Sequence, residues 1–260
     1  MKETDIKLIN GDCLLEMQEI PSKSIDMVLA DPPYGTTSCK WDSVIPLKQM
    51  WEQLNRITKP YKAMVLFSQQ PFTTMLNHSN IDQLKYDWIW YKTKAGNFQQ
   101  APNQPLRKHE VISVFSSGVV GHESQTKKRM PYNPQNTESV DLFVQRKKTD
   151  GPHGYHRKNG VIKGFKQTRA NYPDTILEYG SVHNPPHPTQ KPVALMEYLI
   201  KTYTNEGETV LDFTMGSGTT GVAAKKLNRN FVGIELDHHY FNIAKERISE
   251  SKMEQSDESR

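Results

Sequence analysis

The sequence predicts an α/β protein built on a mostly parallel, doubly wound sheet, and three observations support this prediction. Short apolar runs rich in Val, Ile and Leu, typical of buried parallel strands, recur along the chain. Segments with helical periodicity alternate with these runs. With 260 residues, the chain is long enough for one substantial core and a modest insert.

Strands and helices are predicted from the apolar pattern and from the turn residues that bound each run. Predicted strands cover 27–30, 64–68, 87–91, 111–116, 209–212 and 231–234. Predicted helices cover 14–19, 47–58, 193–203, 219–227 and 238–250. The stretch 94–105 is rich in Gln, Asn, Pro and Gly, which predicts a mobile loop.

A turn motif, Asp31-Pro32-Pro33-Tyr34, directly follows the apolar run 27–30. Two prolines cannot continue a sheet ladder, so the chain turns here and leaves a carboxylate, a backbone carbonyl and an aromatic ring at the end of a strand. Ligands of open α/β sheets bind at such strand ends. A pair of acceptors beside a stacking ring suits the exocyclic amino group of a flat base. Taken alone, the motif is equally compatible with a simple turn in which Tyr34 caps the core.

A second motif, toward the carboxyl terminus, has the order strand, glycine turn, helix, strand and acid. The strand 209–212 leads into Gly216-Ser217-Gly218 and a helix that starts at Thr219. The next strand ends in Glu235. A helix amino terminus attracts a ligand carboxylate, and an acid about twenty residues beyond a glycine loop accepts hydrogen bonds from ribose hydroxyls. The series predicts a cofactor that contains a nucleoside.

With the segment His187-Pro188-Thr189-Gln190-Lys191-Pro192, these motifs resemble the β-class amino-methyltransferases of DNA. That family methylates N6 of adenine or N4 of cytosine with S-adenosylmethionine (AdoMet). Four separated segments match in the order of the family, namely Gly11-Asp12, the Asp31 turn, the His187 segment, and the glycine loop with Glu235. The resemblance covers about residues 6 to 248 and leaves a central stretch unmatched.

The resemblance implies a set of site residues. The implied catalytic residues are Asp31, Pro32, Pro33 and Tyr34. The implied cofactor-binding residues are Asp12, Cys13, Asp31, Lys191, Asp212, Phe213, Thr214, Gly216, Ser217, Gly218, Thr219, Thr220 and Glu235.

Some of these residues have more specific implied roles. Glu235 would hold the ribose, Asp12 would accept from the adenine amino group of the cofactor, and the backbone of Cys13 would donate to its ring. A helix N-cap is the alternative role for Asp12. Lys191 would bind the cofactor carboxylate or a phosphate, and an exposed lysine at a helix start is the alternative.

The implied reaction is direct methyl transfer to a base flipped out of the duplex. Asp31, expected to be ionised at neutral pH, and the Pro32 carbonyl would each accept one N–H of the target amine. This pairing would aim the nitrogen lone pair at the sulfonium methyl group. Tyr34 is expected to stack on the flipped base. Further candidates for the pocket wall are Trp41, Trp90 and Tyr91. No metal and no covalent enzyme intermediate are expected.

The motif order implies a circularly permuted AdoMet-dependent methyltransferase fold, a Rossmann-like sheet with an inserted DNA target-recognition region. A simple dinucleotide fold has its glycine loop after the first strand, whereas this loop follows the catalytic turn in the chain. One position departs from the family, whose members usually carry Phe two residues after the Asp of the glycine loop. This chain has Thr214 there and Phe213 one place earlier, so the usual contact would be absent or supplied by Phe213.

Positive charge is concentrated in the central part of the chain. The net charge is +4 and the pI is about 8.8, and residues 120–170 contain 11 Lys and Arg against 4 Asp and Glu. A local basic patch is typical of a nucleic-acid partner, although a solvated loop can have the same composition. The residues expected to bind phosphates of double-stranded DNA are Lys127, Lys128, Arg129, Arg146, Lys147 and Lys148.

These observations divide the chain into four parts. Residues 1–116 are predicted to form the catalytic part of the core, and 182–248 the cofactor-binding part of the same core. Residues 117–181 lack clean periodicity and are predicted to form the target-recognition insert. Residues 249–260 are predicted to be a flexible tail.

Other site classes find little support in the sequence. Cys13 and Cys39 show neither metal spacing nor a disulfide framework, which favours a reducing, cytosolic setting. The family resemblance implies the cytoplasm of a bacterium, with the gene carried by the bacterium or by a phage. His153 and His156 resemble a metal pair, but no further ligands accompany them. No apolar run approaches the length that spans a bilayer, so no membrane partner is expected.

Several alternatives stay open. Asp at position 31 favours adenine, because family members with Ser there are typically cytosine enzymes; N4-cytosine methylation is the alternative. Related loops also serve RNA-adenine enzymes and enzymes that modify protein amides. A DNA-binding relative without activity is a further alternative, which a titration with AdoMet would separate. A homodimer and a cognate restriction enzyme are the open questions about partners.

Overall fold

A computed structural model describes residues 4–35, 43–121, 126–144, 164–182 and 190–252. Two compact units are present, a larger one formed by the chain up to residue 133 and from residue 175 onward, and a smaller one spanning 134–174. The strands are β1 (Ile6–Asn10), β2 (Ile25–Ala30), β3 (Thr58–Ser68), β4 (Leu84–Gly96), β5 (Arg107–Phe115), β6 (Glu138–Val144), β7 (Phe165–Ala170), β8 (Ile176–Glu178), β9 (Thr209–Asp212) and β10 (Asn230–Glu235). The helices are α1 (Cys13–Glu16), α2 (Leu47–Ile57), α3 (Phe72–Ser79), α4 (Val193–Tyr203), α5 (Thr219–Lys226) and α6 (His238–Glu250).

The larger unit is built on one sheet with the strand order β1-β10-β9-β2-β3-β5-β4-β8. All of these strands run in one direction except β5, which is antiparallel to both of its neighbours. The mostly parallel α/β sheet predicted from the sequence is therefore confirmed. Circular permutation stays an interpretation of the motif order.

The central strand β2 shows why the sequence reads as a continuous apolar run. All six of its residues are buried, as expected for a strand covered on both faces. Met27 and Leu29 belong to an apolar cluster that includes residues of α4 and α5. Val28 and Ala30 belong to a second cluster that includes residues of α2 and α3. The two clusters are the two layers of the core.

Strand order determines where a crevice opens. The chain passes from β2 through α2 to β3, on one side of the β9–β2 pair. It passes from β9 through α5 to β10, on the other side of that pair. The carboxyl ends of β2 and β9 therefore flank a topological switch point, where ligands of open α/β sheets bind.

The predicted elements differ from the structure mainly where contacts between distant parts of the chain determine the secondary structure. Helices α4 and α6 have the predicted bounds, and α2 and α5 each end one residue earlier. Predicted helix 14–19 is instead the short α1 followed by a 3-10 turn over Met17–Glu19. Sequence analysis missed β1, whose strand pairs with β10 from the far end of the chain, and it also missed α3. The predicted mobile loop at 94–105 is partly wrong, because β4 continues to Gly96 and a 3-10 turn covers Phe98–Gln100.

The boundaries predicted for the insert need correction. Residues 117–133 and 175–181 lie in the larger unit: Met130 is buried in its core, and Leu177 of β8 is buried where that strand pairs with β4. These segments lack local periodicity because contacts distant in sequence hold them in place. The smaller unit contains the antiparallel pair β6–β7, on which Phe143 is 68 % exposed.

No helix in the described part of the chain is both long and apolar enough to cross a bilayer.

Candidate active site

A cavity of about 500 Å³ opens at the carboxyl ends of the central strands. Its size is typical of a small-molecule site. The predicted site residues that line it are Asp12, Cys13, Asp31, Pro32, Pro33, Tyr34, Lys191, Asp212, Phe213, Thr214, Gly216, Ser217, Thr219, Thr220 and Glu235. The structure thus brings together segments that are up to about two hundred residues apart in the sequence.

Gly218 is the predicted cofactor residue that does not line the cavity. Its φ is +77°, and a Cβ atom there would lie 2.8 Å from the Cβ of Ala244. The position therefore requires glycine for backbone conformation and for packing against α6. Ser217 beside it donates to Gln190 at 2.9 Å and accepts from Arg247, which anchors the loop from both sides.

Glu235 is the last residue of β10, and Asp12 follows β1, which pairs with β10 so that Asn10 lies in register with Glu235. Glu235 accepts at 2.8 Å from the Gly216 amide through Oε2 and from the Asp237 amide through Oε1. Burial raises the pKa of Glu235, and these amides oppose the rise. Asp12 accepts from the Leu14 amide at 2.8 Å, so it is an N-cap as well as a cavity residue.

Asp212 at the end of β9 is buried beneath the glycine loop. It accepts from the Thr214 amide at 3.1 Å and from the Thr220 hydroxyl. Burial raises the pKa of Asp212 to about 7, and these two hydrogen bonds oppose the rise. The carboxyl therefore fixes the turn that leads into α5.

Asp212→Asn is expected to remove a pH dependence of stability. Because the pKa of Asp212 is about 7 in the folded protein and lower in the unfolded chain, the folded protein holds a proton here that the unfolded chain releases. This contribution to stability is present at low pH and is lost as the pH rises toward about 7. Melting temperatures of both proteins should be measured from about pH 5 to about pH 8. As the pH rises, the melting temperature of the variant should increase relative to that of the wild type. A difference that is constant with pH would contradict the assignment.

The Asp31 carboxylate is held at both of its oxygens. Tyr34 donates its hydroxyl proton to Oδ1, and Lys191 forms an ion pair with Oδ2. The Tyr34 ring stacks on Phe72 with centroids 5.4 Å apart and planes 25° from parallel. Lys191 is only 5 % exposed, so its alternative interpretation as an exposed lysine is wrong. Lys191 also lines the cavity, and its contact with a cofactor carboxylate or a phosphate stays a prediction.

Two residues that sequence analysis missed extend this ion pair. Lys191 Nζ lies 3.4 Å from Oε2 of Glu110, and Lys92 pairs with Oε1 of the same residue. Burial raises the pKa of Asp31, and the Lys191 ammonium opposes that rise. Burial alone would raise the pKa of Glu110 too, but the two lysines outweigh it and lower the pKa. Burial alone would lower the pKa of Lys191, but Asp31 and Glu110 outweigh it and raise the pKa.

Other cavity residues carry little signal in the sequence. The lining residues not predicted include Gln69, Glu110, Gln190, Tyr240 and the segment 43–46. Glu110 stands at the polar start of an apolar strand, where an acid is unremarkable until its lysine partners are known. The predicted wall residues Trp90 and Tyr91 do not line the cavity, since Trp90 is buried in the core and Tyr91 lies against Lys108. Trp41 is outside the described residues.

Three of the predicted phosphate-binding residues, Lys127, Lys128 and Arg129, do not lie at the cavity. The Lys127–Arg129 segment is exposed and pairs with Val119, which follows the carboxyl end of the antiparallel strand β5. The hydroxyl of nearby Ser117 accepts from the backbone amide of Tyr61, which lies in the amino-terminal part of β3. Because β5 is antiparallel to β3, the segment lies at the end of the sheet opposite the cavity. This position argues against a contact with DNA beside the target base. Arg146, Lys147 and Lys148 are outside the described residues.

Metal binding is not indicated where the chain is described. No group of three or more His, Cys, Asp or Glu residues is arranged there to hold an ion. His153, His156 and Cys39 lie outside the described ranges. Burial raises the pKa of the Cys13 thiol to about 12, so this cysteine is a neutral wall residue of the cavity.

The cavity fits the implied nucleoside cofactor. Glu235 and Asp12 place two carboxylates along one wall, and glycine backbone lies beside them. Thr214 lines the cavity, and its buried hydroxyl has no hydrogen-bond partner among the described residues, as expected where a ligand completes the site. Phe213 also lines the wall, but it is 1 % exposed and belongs mainly to the core.

Comparison with known proteins places the site in context. The profile of the N6/N4 methyltransferase family, described as DNA methylase, matches residues 25–246. The type II methyltransferase M.HpaI of Haemophilus parainfluenzae is 28 % identical over 94 % of this chain and 74 % of its own length. The DNA adenine methyltransferase YhdJ of Escherichia coli K12 is 26 % identical over 93 % of this chain and 82 % of its own length.

Solved structures show the same fold. The M1.HpyAVI–SAM complex has a TM-score of 0.59 at 22 % identity and covers 93 % of this chain and 99 % of its own. The cytosine-N4-specific PvuII DNA methyltransferase has a TM-score of 0.67 at 15 % identity and covers 97 % of this chain and 89 % of its own. The family profile and the relatives confirm the resemblance drawn from the motifs.

Proposed function

The chain belongs to the N6/N4 family of DNA methylases, and on this premise we propose that it methylates N6 of adenine in double-stranded DNA. The observation that carries the proposal is that the Asp31 turn and the glycine loop with Glu235 line one cavity. Asp at position 31 supports adenine by resemblance, as does the name of the E. coli relative. N4 of cytosine is the second candidate, because the cytosine-N4-specific PvuII enzyme shares the fold.

AdoMet is the cofactor, and when bound it supplies an electrophilic methyl group on a sulfonium sulfur. We propose that Glu235 accepts hydrogen bonds from its ribose hydroxyls, and that Asp12 and the backbone of Cys13 bind its adenine. Thr214 would use its unpaired hydroxyl, and the Gly216 backbone would allow close approach. These residues bind and orient; none of them needs to react.

Asp31 and Pro32 would carry the chemistry on the DNA side. The lone pair of an aromatic amine is delocalised into the ring, so the nitrogen is a poor nucleophile until it is made pyramidal. A carboxylate and a backbone carbonyl that each accept one N–H would hold it in that form. The Asp31 charge also offsets the positive charge that develops on nitrogen. Both oxygens of Asp31 have protein partners here, so entry of the base requires the Tyr34 or Lys191 contact to be shared or exchanged.

A base inside a duplex cannot reach a cavity at the end of a sheet, so the target must be flipped out. We propose that Tyr34 stacks on it; this residue lines the cavity, and its ring packs against Phe72. Unstacking costs a few kcal/mol, and stacking on an aromatic ring recovers part of that cost.

We propose that the DNA binds at the end of the sheet where the cavity opens, which is also the end at which β4 connects to β5. Residues 93–109 contain Lys94, Arg107 and Lys108 and no Asp or Glu. Arg107 is exposed and donates to Gln69 of the cavity lining at 2.7 Å. A positive segment beside the cavity suits the phosphates that flank a flipped base.

Neutralising Lys94, Arg107 and Lys108 to Gln is expected to weaken DNA binding and to flatten its salt dependence. Each lost phosphate contact lowers the slope of log K against log salt by about 0.9. The matched control neutralises Lys127, Lys128 and Arg129, which are the same number of charges at the opposite end of the sheet. This control should leave the slope unchanged. Fluorescence anisotropy with a labelled duplex at several salt concentrations measures both. A flattened slope in the second variant alone would restore the phosphate-binding role predicted for Lys127–Arg129.

The remaining proposals concern context. We propose that the smaller unit at 134–174 reads the target sequence, because it lies within the central stretch that the motifs of the family leave unmatched. We also propose action in the bacterial cytoplasm, where DNA and AdoMet are present. A homodimer and a cognate restriction enzyme are further proposals, which sedimentation and the neighbouring genes would test.

One experiment tests the proposed reaction. The protein is incubated with AdoMet and unmethylated genomic DNA, and the nucleosides are analysed by mass spectrometry and direct sequencing. N6-methyladenine at a recurrent sequence is expected. N4-methylcytosine would establish the second candidate instead. Bound AdoMet without any methylated nucleoside would indicate an inactive DNA-binding relative.

A further inference from the structure

We propose that Glu110 is a positioning residue that acts through Lys191 to hold the Asp31 carboxylate and to keep it a good acceptor for the target amine. The inference rests on the proposed function, because it assumes that Asp31 accepts from that amine. It assigns a role to Glu110 and to its partner Lys92.

The four side chains form a row of alternating charge at the cavity edge. Asp31 follows β2, Lys191 precedes α4, Glu110 is in β5 and Lys92 is in β4. Lys191 contacts both carboxylates, and Lys92 pairs with the far oxygen of Glu110. Elements distant in sequence therefore meet through two lysines and two carboxylates, whose formal charges cancel.

The row is fixed because its central members are buried. Lys191 is 5 % exposed and Glu110 is 8 % exposed, so neither can exchange its partner for bulk water. Lys191 Nζ also lies 5.2 Å from the centre of the Phe67 ring, and Lys92 Nζ lies 4.6 Å from that of Trp90. Buried charges of this kind keep their partners, since removing one leaves another uncompensated. Aromatic faces further favour these ammonium positions.

The two carboxylates do not interact with Lys191 in the same way. Lys191 donates to Oδ2 of Asp31. Oε2 of Glu110 is buried and lies 3.4 Å from Nζ, which is a longer contact than the one that Nζ makes with Asp31. Glu110 therefore acts on Lys191 chiefly by charge. It shares the positive charge that would otherwise fall on Asp31 alone, so Asp31 retains electron density for a substrate N–H.

Among the described residues, the titratable groups that act on Asp31 are Tyr34 on its own turn, Lys191 before α4, Glu110 on β5 and Asp212 on β9. Removing the Glu110 charge strengthens the hold of Lys191 on Asp31 and lowers the pKa of Asp31. Removing the Lys92 charge has the opposite sign, because Glu110 stays ionised beside Lys191 and draws more of its charge.

The test uses two variants with opposite expected shifts. Glu110→Gln should lower the pKa of Asp31, and Lys92→Met should raise it by a smaller amount. The carboxyl carbon of Asp31, labelled with ¹³C and assigned with Asp31→Asn, reports this pKa in the protein without cofactor or DNA. The acid limb of the kcat profile should move in the same directions, and kcat of Glu110→Gln near neutral pH should fall by about tenfold.

A matched control separates positioning from general stability. Glu208→Gln makes the same chemical change in the Lys62–Glu208 ion pair at the other edge of the sheet, and it should shift neither the Asp31 pKa nor kcat. AdoMet affinity of Glu110→Gln should equal that of the wild type, which also verifies folding. If that variant does not fold, Lys92→Met provides the test: a raised Asp31 pKa supports the positioning role, and a lowered or unchanged pKa contradicts it.

The outcomes distinguish this inference from the proposed function. An unshifted Asp31 pKa in both variants, or shifts of the same sign, overturns the positioning role even if methyl transfer proceeds through Asp31. Full activity of Asp31→Asn overturns the proposed mechanism instead, whatever Glu110 does.

Discussion

Replacing Asp31 by Ala is expected to reduce methyl transfer by at least about a thousandfold while AdoMet still binds. The substitution removes the charged acceptor for the target amine and the charge that stabilises the developing cation. It leaves intact the Glu235 side chain and the glycine loop, which lie on other strands of the cavity. The loss should therefore fall on kcat with little change in cofactor affinity.

Tritium transfer to DNA and calorimetric titration with AdoMet measure the two effects separately. Asp31→Asn is the matched variant, since it preserves the shape of the side chain and its single amide oxygen can still accept from either Tyr34 or Lys191. It should be nearly as inactive as the Ala variant because it lacks the charge. Substantial turnover by either variant would remove Asp31 from the centre of the mechanism.

Glu235→Ala is expected to weaken AdoMet binding by about tenfold to about a hundredfold, as befits the loss of hydrogen bonds to a charged acceptor. Two causes act together in this variant. The ribose acceptor is lost, and the Gly216 and Asp237 amides lose the oxygens that hold the glycine loop and the start of α6.

Glu235→Gln separates the two causes, because the amide oxygen can still hold one backbone N–H while the charge is absent. Its affinity for AdoMet should lie between those of the wild type and the Ala variant. Affinity for the DNA duplex, measured without cofactor, should change little in either. Wild-type AdoMet affinity in Glu235→Ala would show that the ribose is held elsewhere.

Local signals in the sequence were sufficient for the sheet and for most of the cavity wall. The apolar run before Asp31 and the glycine turn after Asp212 both predict strand ends, and parallel strands bring their carboxyl ends to one edge. Helices α4 and α6 have the predicted bounds, because their amphipathic or apolar patterns are long and uninterrupted.

What the sequence did not predict depends on pairing between distant segments. Glu110 can be recognised as a site residue only from its ion pairs with Lys92 and Lys191. These lysines come from a neighbouring strand and from the segment before α4. Lys191 looks like a surface lysine in the sequence, yet ion pairs make its burial tolerable. The positive charge of Lys127–Arg129 is evident in the sequence. The direction of β5, which is antiparallel to its neighbours and so brings this segment to the end of the sheet opposite the cavity, has no local signal.

The central claim is that one carboxylate and one backbone oxygen hold the target amine. A crystal structure of the protein with duplex DNA and an unreactive AdoMet analogue tests it most directly. The account predicts a flipped base whose exocyclic nitrogen lies within about 3 Å of both an Asp31 carboxylate oxygen and the Pro32 carbonyl oxygen. A bound, flipped base whose amino group faces other residues, with Asp31 still closed on Tyr34 and Lys191, would contradict it.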